Sequence, residues 1–449
     1  MSDGAVVWFR RDLRLHDNPA WATATTNHAT VLPLFVLDPR LLDDAGEFRA
    51  AAVLAAVAGL DAELRLIGGA LHVVRGDPRQ LIPEVVSRVD AAAVYFNRDV
   101  TPYAARRDAA VVANLDVPVV TSWGVWVHPP GSILTGDRTV PRVFSAFWRR
   151  WQERSLPEPS VADERPSVST LPGSVPIPTS AARRERDGAV RLERFVTGAL
   201  RDYAEQRDLP AIDGTSALSV DLKTGALGAA AVAREASASP HGEPFVRQLA
   251  WRDWYAHLLH ETPALVHRAQ RPEYDRIAWR HDPSGLAAWQ EGRTGVPIVD
   301  AGMRQLATTG WMHNRVRMIT ASFLVKDLLV DWRTGERHFR RLLADADVPQ
   351  NVGNWQWVAG TGPDAAPYFR VFNPVRQSQR FDPQGQYLRR WVPELAALDD
   401  RAIHDPGQLG PLELAAAGIT LGVDYPYPIV EHGPARLRAV AAYQAARGR

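Results

Sequence analysis

Residues 310–318, GWMHNRVRM, combine aromatic, amide, cationic and thioether side chains at helical spacing. Trp311, Asn314, Arg315 and Met318 fall at positions i, i+3, i+4 and i+7, which share one face of a helix. A packed core would not place an amide and a guanidinium on that face without buried partners. The spacing therefore predicts a helix face that lines a ligand site.

A second segment, residues 345–374, joins paired carboxylates to Asn351, a Trp-x-Trp pair and Arg370. Its Gly and Pro residues indicate tight irregular backbone, and long ordered loops are often functional. Nine of the fifteen tryptophans lie between Trp251 and Trp391. Tryptophan beside arginine can stack on bases or on a flat cofactor, although most of the nine can equally serve a large helical core.

Three further segments leave two interpretations open. GTSALS (214–219) carries hydroxyls on a glycine turn, which either cap a helix or bind a phosphate. QLAWRDWY (248–255) is either a stripe of aromatic core residues or the wall of a ligand site. Its arginine argues against a core from which water is fully excluded. WFRRDLRLHDN (8–18) is either a salt-bridged loop or the edge of a nucleotide or cofactor site.

The elements that must position these residues differ between the two halves of the chain. Apolar runs at 5–9, 31–37, 71–74, 93–96 and 117–121 read as buried strands, and 47–66, 78–89 and 102–115 as helices. This alternation predicts a doubly wound parallel sheet, which binds ligands at the carboxyl ends of its strands. Residues 155–180, with six Pro and six Ser, read as a surface linker. We predict an α/β domain at 1–128, a long surface linker at 129–190, and an all-α domain at 191–449.

Composition excludes several classes of protein. The absence of cysteine rules out disulfides, thiolate metal sites and iron–sulfur clusters. The formal charge of +1 means that any nucleic-acid site must be local, and all but two of the 52 basic residues are Arg. The usual NAD, ATP, zinc-hydrolase and serine-hydrolase motifs do not occur, so we expect no metal. No signal pattern or long apolar run is present, and we expect a cytoplasmic monomer that does not enter a membrane.

Two long blocks, residues 289–333 and 354–374, resemble the photolyase/cryptochrome family, specifically bacterial class I cyclobutane pyrimidine dimer photolyases. The resemblance runs from Trp8 to VDYPYPIVEH (423–432). It implies that light excites reduced FAD, that an electron passes to a cyclobutane dimer in ultraviolet-damaged DNA, and that the electron returns after the ring opens. The dimer must first leave the duplex. The helical domain would bind FAD and the α/β domain a light-harvesting antenna.

The resemblance also assigns the residues that bind FAD. They are Tyr203, Thr215, Ser216, Ala217, Leu218, Ser219, Phe245, Gln248, Arg252, Asn314, Arg317, Asp345, Ala346, Asp347 and Asn351. Arg317 would pair with Asp345, and Asn351 would lie beside the central ring nitrogen of the flavin. A neutral amide there favours repair, since related photoreceptors often carry Asp or Cys instead.

The remaining residues implied by the resemblance meet the lesion, the DNA backbone and an electron relay. Trp251 and Trp357 match the aromatic walls around the dimer, and Asn314 and Met318 match residues that touch it. The DNA-backbone positions are Arg207, Arg252, Arg315 and Arg370, and the relay runs from Trp355 through Trp332 to Trp279. Asn314 favours cyclobutane dimers, because His typically occupies this position in the branch that repairs the 6-4 photoproduct, and repair of another pyrimidine photoproduct is the alternative.

Two departures from the family pattern keep alternatives open. Gln248 stands where many of these photolyases have Glu, and Gln also occurs there in cryptochromes, which gives weight to a photoreceptor without repair activity. The segment TPYAAR (101–106) lacks the Asn and Glu of members that bind methenyltetrahydrofolate. It is more similar to members that bind an 8-hydroxy-deazaflavin, with Phe35, Arg49 and Asp99 as candidate contacts. Methenyltetrahydrofolate, flavin mononucleotide or an empty antenna pocket remain alternatives.

Overall fold

The computed structural model describes residues 4–162, 166–179, 181–364, 367 and 370–448. Contacts divide the chain into two compact units. Unit 1 comprises Met1–Ala204 and Thr215–Pro263, and unit 2 comprises Glu205–Gly214 and Ala264–Arg449. This division differs from the predicted boundaries, because a helical stretch that the sequence assigns to the second domain packs within unit 1.

Unit 1 contains a parallel sheet of six strands in the order β3-β2-β1-β4-β5, with β6 also pairing with β2. The strands are β1 (Gly4–Phe9), β2 (Thr30–Leu37), β3 (His72–Arg75), β4 (Ala93–Asn97), β5 (Val119–Ser122) and β6 (Ser167–Val168). The helices of this part are α1 (Pro19–Asn27), α2 (Pro39–Asp44), α3 (Glu47–Leu66), α4 (Pro78–Arg88), α5 (Pro102–Val112), α6 (Phe144–Gln152) and α7 (Glu185–Thr197). The short helix α8 (Tyr203–Gln206) begins in unit 1 and ends in unit 2.

Alternate residues of each inner strand enter two separate apolar layers. Val7 and Phe9 pack on one face of the sheet with Trp21, whereas Val6 and Trp8 pack on the other. A strand buried on both faces must be apolar throughout, which is why continuous apolar runs marked these strands in the sequence. The predicted strands and the three predicted helices all form, and the α/β part of the fold class is confirmed.

The region expected to be a surface linker contains packed structure. Helix α6 buries Phe144, Phe147, Trp148 and Trp151, and β6 joins the sheet beside β2. Unit 1 continues with α9 (Ser219–Thr224), α10 (Ala229–Ser237) and α11 (Glu243–Glu261). The indole Nε1 of Trp151 donates to Asp253 of α11 at 3.0 Å. These contacts fix α11 within unit 1.

Unit 2 consists of helices with one isolated β-bridge, between Leu421 and Tyr425, among its described residues. Its α-helices are α12 (Pro283–Gln290), α13 (Pro297–Thr309), α14 (Asn314–Ser322), α15 (Trp332–Leu342), α16 (Val348–Ala359), α17 (Pro374–Phe381), α18 (Gln386–Trp391), α19 (Pro411–Ala416) and α20 (His432–Ala446). A π-helical segment, Phe323–Asp327, follows α14. The all-α character predicted for the second half is confirmed.

One buried carboxylate fastens two distant segments of unit 2. Asp300 accepts hydrogen bonds from the backbone and hydroxyl of Thr294, both at 2.7 Å, and from the Tyr425 hydroxyl at 2.5 Å. Burial raises the pKa of Asp300 to about 6. Across the described residues, every helix is too short or too polar to cross a membrane.

Candidate functional site

A pocket in unit 2, here called the polar pocket, is walled by one face of α14 and one face of α16. Its lining combines amides, carboxylates and a guanidinium with apolar side chains. The residues are Asn314, Arg317, Met318, Ala321, Phe339, Leu343, Asp345, Ala346, Asp347, Gln350, Asn351, Asn354, Trp355 and Val358. All six FAD contacts that the resemblance assigned from Asn314 onward belong to this set, together with Met318 and Trp355.

Helix α14 begins later than the sequence spacing predicted. Gly310 adopts a left-handed conformation with φ 65° and ends α13, and His313 caps α14 by accepting from the Arg315 backbone N–H at 3.2 Å. Burial lowers the pKa of His313 to about 4, which keeps the imidazole neutral and able to accept. Trp311 therefore precedes the helix, and the prediction that it shares a helix face with Asn314 is wrong.

The face of α14 that reaches the polar pocket carries Asn314, Arg317, Met318 and Ala321. Arg317 donates to both carboxylate oxygens of Asp345, at 3.1 and 2.9 Å, and its Nε donates to the Met312 carbonyl at 2.7 Å. Three hydrogen bonds hold this guanidinium in one orientation. The structure thus brings together the Arg317–Asp345 pair that the resemblance implied.

Asn351 is oriented by a neighbour that the sequence did not single out. Its Nδ2 donates to the Glu336 backbone carbonyl at 3.0 Å and to Glu336 Oε1 at 2.9 Å. Both hydrogen bonds that this amide makes within the described residues use its nitrogen. The carbonyl oxygen of Asn351 is therefore the atom left to accept a bond from a ligand.

Two polar residues of the pocket were missed from the sequence, although the signal was present. Gln350 and Asn354 lie on α16 three and seven positions after Asp347. Asn351 and Trp355 continue the same face at the next positions. The sequence interpretation predicted irregular backbone for this stretch. Counting the helical repeat from Asp347 would have identified both residues.

The three tryptophans of the predicted relay lie in unit 2 and differ in burial. Trp355 and Trp332 are 2% and 1% exposed, whereas Trp279 is half-buried. The aromatic neighbours of Trp355 are Phe339, with ring centroids 5.0 Å apart, and Trp289, at 6.3 Å. The order of electron transfer along the relay stays a prediction.

A second cleft in unit 2, here called the arginine cleft, collects three of the residues predicted to bind DNA. Arg315, Trp357 and Arg370 all line it. Among the described residues its lining is Asp208, Arg315, Met318, Trp357, Arg370, Val371, Phe372, Asn373, Arg376, Gln377, Arg380 and Phe381. Arg207, a further predicted contact, directly precedes the lining residue Asp208 and is half-buried.

The predicted FAD contacts of unit 1 fall into an aromatic group and a turn. Tyr203 and Phe245 meet edge-on with ring centroids 5.5 Å apart, and Phe195 contacts both. Thr215, Ser216, Ala217 and Leu218 form the turn before α9, and Ser219 begins that helix. Ser216 Oγ accepts from the Leu218 backbone N–H at 3.4 Å, and the residue at the N-cap is Leu218. The Ser216 hydroxyl therefore stabilises the turn and does not stand at the N-cap position of the helix.

Helix α11 carries three further predicted residues. Gln248 Nε2 donates to the Pro244 carbonyl at 3.2 Å within the same helix. The Trp251 ring stacks on Phe144, with centroids 3.8 Å apart and planes at 15°, so one of its faces is already covered.

Arg252 of the same helix requires a correction. It is 9% exposed, and its guanidinium donates to the carbonyls of Val125 and Leu222 at 2.7 and 3.1 Å. A cation that is buried and bonded to backbone in this way does not present itself to a DNA phosphate. The predicted contact of Arg252 with the DNA backbone is therefore wrong.

The candidate antenna residues lie in unit 1 at the carboxyl edge of the sheet and in the helix that follows. Phe35 is near the end of β2, and Asp99 follows β4 and accepts from the backbone N–H groups of Val100 and Thr101 at 2.6 and 3.2 Å. Arg49, in α3, donates to the Asp44 carbonyl at 2.6 Å.

The polar segment after β1 is tied largely to other residues of unit 1. Arg10 pairs with Asp108 at 2.5 Å. Arg14 is buried and donates to the carbonyls of Gly124 and Gly225 at 2.7 and 3.1 Å. Of the two interpretations of this segment, the salt-bridged loop describes these contacts.

Comparison with protein-family models finds two matches. The model described as "DNA photolyase" matches residues 5–167, and the model described as "FAD binding domain of DNA photolyase" matches residues 245–445. The first match covers the parallel sheet. The second covers the polar pocket and all the lining residues of the arginine cleft except Asp208.

Relatives and solved structures are similar over nearly the full chain. A deoxyribodipyrimidine photo-lyase of Escherichia coli (strain K12) is 40% identical, covering 98% of each chain. A bacterial class III photolyase from Agrobacterium tumefaciens is 37% identical with a TM-score of 0.94, covering 100% of this chain and 98% of its own. A Synechocystis sp. PCC6803 cryptochrome is 29% identical with a TM-score of 0.92, covering 98% and 99%. A Sulfolobus tokodaii photolyase described "with two FAD molecules" is 32% identical with a TM-score of 0.86, covering 98% and 100%.

Proposed function

This chain belongs to the DNA photolyase family, and on that premise we propose that it repairs cyclobutane pyrimidine dimers in DNA under light. One observation carries the proposal. Met318 lines both the polar pocket and the arginine cleft, so a cofactor in the first and a nucleotide in the second would share one wall. Short-range electron transfer needs such closeness. The assignment to class I remains a prediction, since one similar solved structure is described as class III.

The donor set of the polar pocket fits FAD. A flat ring system with a polar rim needs apolar contacts on its faces and donors and acceptors around its edge, and the pocket supplies both kinds of group. When bound and reduced, FAD would supply the photoexcited electron that opens the cyclobutane ring. Arg317 and Asp345 would hold the polar rim in place, and the Asn351 carbonyl oxygen would accept a hydrogen bond there. We assign further contacts to Asn314, Ala346 and Asp347 in unit 2.

For the residues of unit 1 we propose the contacts with FAD that the resemblance assigned. The turn 215–219 offers hydroxyls and backbone N–H groups suited to a diphosphate, and Tyr203 and Phe245 offer aromatic surface. The side-chain oxygen of Gln248 is available as an acceptor, since the bond this amide makes to Pro244 uses its nitrogen. For Arg252 we retain only the role in cofactor binding.

The arginine cleft would bind the damaged strand. Arginines contact phosphates and position a strand, whereas aromatic rings stack on bases that have left the duplex. Arg315 and Arg370 would serve the first purpose and Trp357 the second. Asn314 and Met318 would touch the dimer, and for Trp251 of unit 1 we propose the stacking on the dimer that the resemblance assigned. We propose that the protein acts on DNA as a monomer in the cytoplasm.

Trp355, Trp332 and Trp279 would carry electrons inward from the surface to restore the reduced cofactor. We expect that Trp355→Phe blocks photoreduction of the oxidised protein and leaves repair by chemically reduced protein largely intact. Photoreduction at the wild-type rate in this variant would remove Trp355 from the relay.

A second chromophore in unit 1 would collect light. We propose an 8-hydroxy-deazaflavin near Phe35, Arg49 and Asp99, with methenyltetrahydrofolate, flavin mononucleotide or no antenna as alternatives. A second FAD is a further candidate, because the Sulfolobus tokodaii photolyase is described with two FAD molecules. The absorption spectrum of the purified protein, after release and chromatography of its chromophores, decides among these.

A cryptochrome-like photoreceptor is the second candidate function. It is favoured by Gln248 and by the similarity to the Synechocystis cryptochrome. The deciding experiment illuminates the reduced, FAD-loaded protein with ultraviolet-irradiated oligothymidine and follows the recovery of thymine absorbance. Light-dependent recovery supports repair. A protein that photoreduces but gives no recovery, with reduced FAD verified by its spectrum, would instead be a photoreceptor.

A further inference from the structure

The arginine cleft contains one carboxylate among its lining residues, that of Asp208. Asp208 Oδ1 accepts from Arg315 Nε at 3.3 Å, and Oδ2 accepts from Arg315 Nη2 at 2.9 Å. The Arg315 guanidinium also lies over the Phe381 ring, with Cζ 4.4 Å from its centroid. This forked pair and the ring together fix both the position and the direction of the Arg315 cation.

The other three arginines of the cleft are held differently. Arg370, Arg376 and Arg380 are exposed, and none forms an ion pair with a carboxylate among the described residues. By contrast, the Arg315 side chain is 17% exposed and its Asp208 partner 29%. The cleft therefore presents three cations that are open to solvent and one whose charge is largely cancelled at close range.

We propose that Asp208 is a specificity-determining residue, which weakens binding to undamaged DNA and so increases the preference for DNA that carries the lesion. This proposal rests on the proposed function, because it takes the arginine cleft as the place where the damaged strand binds. Asp208 acts through Arg315, so it is a positioning residue and needs no contact with the lesion.

The physical argument begins with the two kinds of binding. Undamaged DNA is held almost entirely by contacts between cations and phosphates, and each neutralised phosphate makes the affinity fall more steeply with salt. A phosphate that approaches the cleft loosely must compete with Asp208 for Arg315. Asp208 thereby removes about one phosphate contact from the non-specific complex.

Asp208 should weaken binding to the lesion less than it weakens binding to undamaged DNA. Within the described residues the forked pair uses Nε and Nη2 of Arg315, so Nη1 remains able to donate without breaking the pair. A strand held in register by stacking of the extruded dimer on Trp357 can bring one phosphate to that fixed donor. Specific binding would thus use Arg315 while it remains paired with Asp208, whereas non-specific binding would require that ion pair to break.

The experiment measures DNA affinity by fluorescence anisotropy in the dark, using FAD-loaded protein and duplexes with and without one thymine dimer, at several salt concentrations. Asp208→Asn should steepen the salt slope for undamaged duplex by up to about 0.9, the value for one phosphate. If wild type and variant bind equally at 1 M salt, that slope difference corresponds to about eightfold tighter binding of the variant at 0.1 M salt. Affinity for the damaged duplex should change by less than about twofold, so the preference for damage falls several-fold.

Three variants control for other causes. Asp400→Asn removes a carboxylate from another surface ion pair, Asp400–Arg389 at 2.9 Å, outside the cleft lining and should leave both affinities unchanged. Asp208→Glu keeps the charge and should retain the wild-type preference. In an Arg315→Gln background, Asp208→Asn should no longer alter the salt slope. Bound FAD absorbance and thermal melting verify that each variant is folded.

Two results would overturn the proposal. One is an unchanged salt slope for undamaged duplex in folded Asp208→Asn, and the other is an equal gain for both duplexes. A wild-type protein with no preference for the dimer would instead remove the proposed function. The slope on undamaged duplex would still report whether Asp208 restrains Arg315, so the two failures are distinguishable.

Discussion

Gly335, on helix α15, packs directly against Trp355, which lines the polar pocket. A Cβ atom at this position would lie 2.2 Å from Trp355 Cη2 and 2.6 Å from Leu324 Cδ2. Trp355 cannot retreat freely, because its ring packs edge-on against Phe339 with centroids 5.0 Å apart. We therefore predict that Gly335→Ala destabilises the protein and displaces Trp355 from the pocket wall.

Two opposing effects set the magnitude. In a helix interior, Ala is favoured over Gly by about 1 kcal/mol when space is available. Overpacking a core costs typically about 1–3 kcal/mol. A contact at 2.2 Å with a rigid indole is much shorter than a non-bonded carbon–carbon contact allows. We therefore place the cost of this substitution at the upper end of the overpacking range. The net loss of unfolding free energy should be about 2 kcal/mol.

Urea unfolding of the wild type and Gly335→Ala gives the stability difference, and FAD titration of the apoprotein gives the change in affinity. Gly433→Ala is the matched control, because Gly433 lies in helix α20 and a Cβ there has no neighbour within 4 Å. Because Gly433 lies in the first turn and precedes Pro434, this substitution should change the stability by less than about 1 kcal/mol in either direction. If Gly335→Ala proved as stable as the wild type with unchanged FAD affinity, the close packing of Gly335 on Trp355 would be refuted.

Three further substitutions test buried groups away from the pocket. Burial lowers the pKa of Lys326 to about 7, so wild-type stability should rise between pH 7 and 10 by up to about 5 kcal/mol, and Lys326→Met should flatten that rise in urea titrations. Tyr425→Phe removes a donor from Asp300 and should cost about 1–3 kcal/mol, with a larger loss at pH 8 than at pH 5, because the Asp300 pKa is raised to about 6. Phe144→Leu removes the ring stacked on Trp251 and should cost at least about 0.5–1.5 kcal/mol while weakening binding to dimer-containing DNA, as anisotropy would show.

The sheet could be predicted from the sequence because its physical cause is local. A parallel strand buried on both faces needs a continuous apolar run, and residues 5–9 and 31–37 supply such runs. Helix α3 matches its predicted span, Glu47–Leu66. The start of α14 was misplaced because periodicity carries no information about caps. The left-handed Gly310 and the cap at His313 are the signals that fix the boundary.

The site was only partly predictable because its decisive contacts join residues that are far apart in sequence. Asp208 and Arg315 are 107 positions apart, and nothing in either local sequence indicates the pair. The resemblance assigned Arg252 to DNA, whereas the carbonyl partner that buries its guanidinium, Val125, is 127 positions away. Motif spacing finds which residues share a face, and burial and ion pairing then decide which of them reach a ligand.

The fifteen tryptophans illustrate how burial sorts residues that composition cannot distinguish. Nine are buried, namely Trp8, Trp21, Trp126, Trp148, Trp151, Trp254, Trp289, Trp332 and Trp355, and six are half-buried, namely Trp123, Trp251, Trp279, Trp311, Trp357 and Trp391. The two proposed lesion walls are among the half-buried six, as stacking on a base requires an accessible ring.

Exposure alone does not make a stacking site, because a neighbour can occupy the ring face. The Arg98 guanidinium lies 4.8 Å from the centre of the Trp123 ring. The Phe144 ring stacks on Trp251 and covers one face of that indole. A wall for a flipped dimer needs one face fixed by the protein and the other available to the base. Trp123 and Trp251 each have one ring face occupied by a neighbour, so packing does not distinguish them, and the assignment of Trp251 to the lesion rests on the resemblance.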